Sequence, residues 1–222
     1  MKKVLILPGT SNPVSPNYRE VYDDIVDIAD RHGFASTIVA YPGHGRGLLT
    51  FKGAVHNARS LLREYRATWI IARSFGCAVA AEVLADERLA ENIEGAVFWG
   101  PTLSNWVRRF LPTELARRRE TAKYRKYDAN LADDFLDDFP MLEVNIERAF
   151  CNIRLVRGVK DKYNSREDLD FLAAVHRRGQ PRKICSVLEL SGLGHTIVPT
   201  TRTSQQLTNY SDALFGAFMT TA

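Results

Sequence analysis

The chain has 222 residues, 45% hydrophobic and 25% charged, a balance that excludes a disordered or membrane-spanning class and suits one α/β domain whose core needs no disulfides. Its net charge is +4 and its pI about 9.0, but no RNA- or DNA-binding motif accompanies the basic excess, so nucleic acid is not an expected partner. Cys77, Cys151 and Cys185 are odd in number, widely spaced and set in apolar stretches, which argues against a disulfide framework or a zinc site and for a reducing, cytoplasmic setting.

MKKVLILPGT begins with an apolar run that breaks at Pro8-Gly9, too early for a signal-peptide core or a membrane span, and predicts a first strand at Lys3–Leu7. Further short apolar or β-branched runs predict strands at Ser36–Ala40, Thr68–Ala72, Ile93–Trp99, Ile153–Arg157 and Ile184–Leu190. The runs VLIL, TIVA, WIIA and AVFW are apolar at consecutive positions, as strands covered by helices on both faces require. Helical periodicity predicts the crossover helices at Tyr18–His32, Phe51–Tyr65, Phe75–Leu84, Arg166–Arg178 and Ser204–Phe218. The fold class is therefore α/β, with six mainly parallel strands flanked by helices.

Between the fourth and fifth strands lie about fifty residues, more than one crossover helix needs. They carry the helical patterns WVRRFL and LADDFLDDF, punctuated by Pro101, Pro112 and Pro140, and predict a helical cap over about 101–150 inserted into a single domain of 1–222. Within it, Val107–Lys126 holds eight Arg or Lys against two Glu, whereas Asp128–Glu147 is mostly acidic. Two solvated helices with facing opposite charges account for this; a basic rim that attracts an anionic substrate or an acyl carrier is the alternative.

ARSFG lies at the junction of the third strand and its following helix, with small residues, Ala72 and Gly76, two positions before and after Ser74. A serine on so tight a strand-to-helix turn has the requirements of a nucleophile elbow; the alternative is a helix-capping serine. A serine hydroxyl needs a base, and the base a group to orient it. Asp161 follows the fifth strand in RGVKDKYN, and His195 follows the sixth in SGLGHTIVP. The order Ser74, Asp161, His195 brings all three to one sheet edge, although a loop aspartate is also an ordinary turn former and a loop histidine an ordinary surface residue. His32, His56 and His176 fall on or at the ends of predicted helices, where structural roles suffice.

Acyl transfer places negative charge on the carbonyl oxygen, and the backbone N–H groups of Phe75 and of Thr10, in LPGTSNP after the first strand, are the candidates to receive it. YPGHGRG, after the second strand, lacks the Lys-Ser or Lys-Thr end of a P-loop and does not match GxGxxG. It reads as a glycine turn at the mouth of the site. Arg73, Trp106, Phe110 and Tyr124 are candidate substrate-binding residues, Arg73 with Arg117–Arg119 for an anionic group and the aromatics of the cap for an acyl chain, although such aromatics also simply pack a helical insertion.

Together LPGTSNP, YPGHGRG, ARSFGC, GVKD and GLGHTIVP resemble the α/β-hydrolase superfamily, in the compact serine-hydrolase group that includes esterases and thioesterases. YPGHGRG is similar to that family's D-x-PGHGxS loop, with Tyr41 in place of its acidic residue and Gly47 in place of its serine, and Pro8 stands where its oxyanion loop has histidine. The resemblance implies a strand order of 2-1-3-4-5-6 and hydrolysis of a small-molecule ester or thioester without metal or organic cofactor. An acyltransferase on the same residues, or a non-catalytic ligand-binding or partner-binding module on a hydrolase scaffold, are the alternative functions.

Overall fold

The computed structural model describes residues 2–16, 19–45, 47–102, 107, 110–124, 129–137, 142–195 and 211–216. The strands are β1 (Lys2–Leu7), β2 (Phe34–Ile38), β3 (Trp69–Arg73), β4 (Gly95–Trp99), β5 (Asn152–Gly158) and β6 (Cys185–Leu190). All pair in parallel in the order β2-β1-β3-β4-β5-β6. The helices are α1 (Arg19–Arg31), α2 (Phe51–Tyr65), α3 (Phe75–Leu84), α4 (Glu87–Ala90), α5 (Glu114–Tyr124), α6 (Leu142–Glu147) and α7 (Arg166–Gly179).

Alternation along each strand divides the core into two layers. Leu5, Leu7, Ile70, Ala72, Ala96, Phe98, Ile153 and Leu155 face one way and pack with the buried residues of α2, α3, α6 and α7. Val4, Ile6, Trp69, Ile71, Val97, Trp99 and Val156 face the other way, onto Val21, Tyr22, Ile25 and Ile28 of α1 and onto Ala213–Phe215. This two-sided burial is why the strand sequences are continuously apolar. The outer strands β2 and β6 are only half-buried over most of their length, since each has one neighbour.

Two sequence expectations shift. The second strand begins at Phe34, two residues before the predicted Ser36, because Phe34 is buried in a stack on Phe215 and edge-on to Trp69. In the segment between β4 and β5, α6 buries Leu142 and Ile146 and packs against α3 and α7. The part of 101–150 nearest β5 therefore belongs to the layer flanking the sheet. Of the predicted last helix only residues 211–216 are described, and Asp212–Gly216 forms a π-helical turn.

Candidate active site

β3 runs into α3 through Ser74, whose backbone stands at φ 51, ψ −119. A non-glycine residue at positive φ is strained and persists only where its surroundings hold it. Here the Ser74 N–H donates to the Trp99 carbonyl at 2.8 Å, and the Ser74 carbonyl accepts from the Cys77 N–H at 3.0 Å. Gly76 is sterically required: a Cβ there would lie 2.3 Å from the Leu7 carbonyl oxygen and 2.5 Å from that of Pro8. The Ser74 side chain makes no capping hydrogen bond to α3. Its Oγ lies 3.1 Å from His195 Nε2 and 3.2 Å from Thr102 Oγ1.

Asp161, 5% exposed, follows the end of β5. Its Oδ1 accepts from the Tyr163 N–H at 2.8 Å, and its Oδ2 accepts from Asn164 Nδ2 at 3.2 Å and lies 3.0 Å from His195 Nδ1. Arg157 Nη2 donates to the Asp161 carbonyl at 3.3 Å and steadies the loop from below. Burial alone raises the carboxyl pKa, but the hydrogen bond and charge of His195, with the Tyr163 and Asn164 donors, outweigh it and hold Asp161 below the ordinary aspartate value. An ionised carboxylate only accepts, so His195 carries its proton on Nδ1 and presents Nε2 as an acceptor to the Ser74 hydroxyl. Tyr163 packs edge-on to the imidazole at 4.7 Å. Gly100, at φ +55, completes this wall: a Cβ there would sit 3.2 Å from two atoms of the His195 ring.

The loop after β1 is held from two sides. The Gly9 N–H donates to the Tyr22 hydroxyl at 3.0 Å, and His44 Nε2 lies 3.1 Å from the Thr10 carbonyl oxygen. Asn12 Nδ2 in turn donates to the His44 carbonyl at 2.8 Å. Burial lowers the His44 pKa to about 4, against the opposing effect of the Thr10 carbonyl, so near neutral pH the ring is uncharged and its Nε2–H donates to Thr10. The PGHG turn thus buttresses the Thr10 loop, and its Gly43 carbonyl also accepts from the Asn130 N–H at 2.9 Å, which docks the segment before α6. Phe75, buried at the start of α3, packs against Tyr41, Phe51 and Phe135.

Arg73 corrects an expectation: it is 7% exposed, not part of a basic surface with Arg117–Arg119, and its Nη1 lies 3.5 Å from the Tyr22 hydroxyl. Strand alternation explains this, since the residue before the elbow points into the α1 layer. Phe110 is 57% exposed. Trp106 lies outside the described residues, as does the side chain of Tyr124. In the basic segment Arg117 pairs with Asp137, Arg118 with Glu114 and Lys123 with Glu120, so three of its charges are met within 101–150. His176 is a buried structural residue whose Nε2 faces the Ala149 and Cys151 carbonyls, both at 3.1 Å. Thr102, Gly100 and Tyr22 were not singled out from the sequence; for Thr102 and Gly100 the available signal was their place just past β4, the strand beside β3.

Among the described residues no group of three or more His, Cys, Asp or Glu is arranged to hold a metal ion, and no described helix is long and apolar enough to cross a membrane. No protein-family model matches the chain, and no curated protein matches it. Solved structures do. A monoacylglycerol lipase of Paleococcus ferrophilus superposes with a TM-score of 0.67 at 16% identity, covering 99% of this chain and 95% of that one. An esterase domain of a Rhodothermus marinus protein gives 0.66 at 15% identity over 98% and 85%. Mouse α/β hydrolase domain-containing protein 10 gives 0.68 at 12% identity over 99% and 90%. With its parallel sheet in the order 2-1-3-4-5-6 and helices on both faces, the chain has the α/β-hydrolase fold.

Proposed function

We propose that the chain is a serine hydrolase that cleaves a carboxylic ester or thioester through an acyl-enzyme on Ser74. The observation that carries this reading is the line of contacts from Asp161 Oδ2 to His195 Nδ1 at 3.0 Å and from His195 Nε2 to Ser74 Oγ at 3.1 Å. Ser74 Oγ attacks the acyl carbon while its proton passes to His195 Nε2, and Asp161 stabilises the imidazolium that forms. The carbonyl oxygen becomes an oxyanion held by the Thr10 and Phe75 N–H groups. Collapse expels the alkoxide or thiolate, which takes the proton from Nε2. Water then attacks the acyl-enzyme, giving its proton to Nε2 and returning the acid and free Ser74.

The esterase and lipase names of the structural neighbours support an ester substrate. We read 1–222 as one hydrolase domain in which the part of 101–150 preceding α6 covers the site; Phe135, packed at a tilt against Phe75 with ring centroids 5.0 Å apart, supports that placement. The internal pairing of Arg117, Arg118 and Lys123 favours a small-molecule substrate over a docked acyl carrier.

Labelling with a fluorophosphonate probe tests the reading. The wild-type chain is expected to label at Ser74 and Ser74→Ala to remain unlabelled, with p-nitrophenyl esters of increasing acyl length then defining the acyl pocket. Folded wild-type protein that neither labels nor turns over any ester overturns it. Transfer of the acyl group to an added alcohol in preference to water identifies an acyltransferase instead.

A further inference from the structure

Arg73 is a buried cation whose charge no carboxylate meets among the described residues. No ion pair reaches it among the described residues, and its Nε is buried without a hydrogen-bond partner. The carboxylate of the site, Asp161, is engaged by His195, Tyr163 and Asn164. The Cys77 thiol, close enough to interact electrostatically with Arg73, is pushed far up by burial and stays neutral. Leaving a guanidinium so placed costs folding free energy.

Its surroundings show where a compensating charge arises. A Cβ built on Gly9 would lie 3.4 Å from Ser74 Cβ on one side and 3.6 Å from Arg73 Nη1 on the other, so guanidinium and nucleophile flank the same glycine. The Tyr22 hydroxyl, wholly buried, accepts from the Gly9 N–H at 3.0 Å and faces Arg73 Nη1 at 3.5 Å. With the Gly9 amide engaged by Tyr22, the next amide along the loop is that of Thr10, and no acceptor meets it among the described residues.

We propose that Arg73, acting through Tyr22, is the positioning residue of the oxyanion loop, and that its unpaired charge is held for the negative oxygen formed beside Ser74. A carboxylate neighbour would neutralise that field in the resting state; its absence leaves the field for the transition state, where a preorganised charge lowers the barrier. The inference rests on the serine-hydrolase reading and deepens it.

The test compares Arg73→Met, Arg73→Lys and Tyr22→Phe, each checked for folding by circular dichroism, with p-nitrophenyl acetate as substrate and phenylboronic acid as a probe that becomes a tetrahedral anion on the serine. Arg73→Met is expected to lower kcat about 10- to 100-fold, less than loss of a direct oxyanion donor, with KM changed less than about twofold, as loss of an interaction made only in the transition state requires. The boronate should weaken by the same factor as kcat, Arg73→Lys should recover most of both, and Tyr22→Phe should fall between. A boronate affinity unchanged in Arg73→Met overturns the proposal, as does an Arg73→Lys variant no better than Arg73→Met. If Arg73→Met does not fold, Tyr22→Phe decides: kcat and boronate affinity both reduced supports the proposal, and both near wild type overturns it. Wild-type protein that fails to label with fluorophosphonate defeats the parent reading, whereas wild type and Arg73→Met labelling at equal rates defeats this inference alone.

Discussion

Asp161 and Thr10 lie on opposite sides of Ser74, one beyond β5 and the other beyond β1, and different kinds of group hold them. The Asp161 side is a charged network: a buried carboxylate takes the Tyr163 N–H, the Asn164 amide and His195, and those donors keep it ionised. The Thr10 side is built from neutral partners, the Tyr22 hydroxyl and a His44 ring kept uncharged by burial, with the Arg73 cation behind them. The difference teaches that a base needs a fixed anion beside it. A receiver of developing negative charge needs the reverse, amides and positive field without a carboxylate to compete.

The largest break in this comparison is expected on the anionic side. Asp161→Asn removes the charge and offers His195 a side chain that can select the wrong tautomer, so kcat on p-nitrophenyl acetate should fall by about 10⁴ with the fold retained. A loss below tenfold would show that His195 is oriented by something other than Asp161. Next in size is the wall behind His195. Gly100→Ala puts a Cβ 3.2 Å from the ring at a backbone φ of +55, so the imidazole must shift, and a displacement of that kind costs about 100-fold in kcat. Activity near wild type, with an unchanged unfolding midpoint, would mean that the ring position tolerates the crowding.

On the neutral side the effects are smaller. His44→Phe keeps an aromatic ring but removes the donor to the Thr10 carbonyl, and kcat should drop about tenfold. It should also alter stability against pH. With the folded pKa lowered to about 4 from 6.5, the unfolded chain takes up the proton first, so stability is full above pH 6.5 and is lost as pH falls towards about 4. His176 is shifted in the same direction, so denaturant titrations of His44→Phe should show a shallower loss over that window, not its disappearance; an unaltered slope would contradict a neutral buried His44. The smallest effect is expected at Thr102. In the proposed mechanism Ser74 gives its one proton to His195, so the 3.2 Å contact with Thr102 is then donated by the threonine hydroxyl. Thr102→Val should cost about three- to fivefold in kcat, the worth of one ordinary hydrogen bond, and Thr102→Ser should restore it.

How much of this was legible in sequence varies by residue. Ser74, Asp161 and His195 each follow directly on an apolar run, and in a parallel sheet the ends of successive strands meet at one edge; local pattern therefore brought them forward as a set. Their distances, and the tautomer the distances impose on His195, were not legible. Arg73 reads in sequence as a candidate for binding an anionic group alongside Arg117–Arg119, because its neighbours in the chain give no sign that it lies by Tyr22, fifty-one positions earlier. His44 stands inside a glycine motif that reads as a turn, and its hydrogen bond to Thr10 spans thirty-four positions. The basic run 117–119 reads either way in sequence, because Asp137, the partner of Arg117, lies far along the chain.

By itself the sequence determined the alternation of buried strands and amphipathic helices, the small residues Ala72 and Gly76 at the elbow, and the order in which Ser74, Asp161 and His195 arrive at the sheet edge. These are properties of short windows, governed by hydrophobic period and by the steric demands of one turn. Only the tertiary structure decided that Gly100 makes room for His195, that Tyr22 and His44 clamp the Thr10 loop, that α6 belongs to the sheet's flanking layer, and that Arg73 is buried beside Ser74 without a counter-charge among the described residues. Each of these depends on groups far apart in the chain that approach within a few ångströms, where hydrogen bonding, steric exclusion and the field of an unpaired charge act on distance in space and not on separation along the sequence.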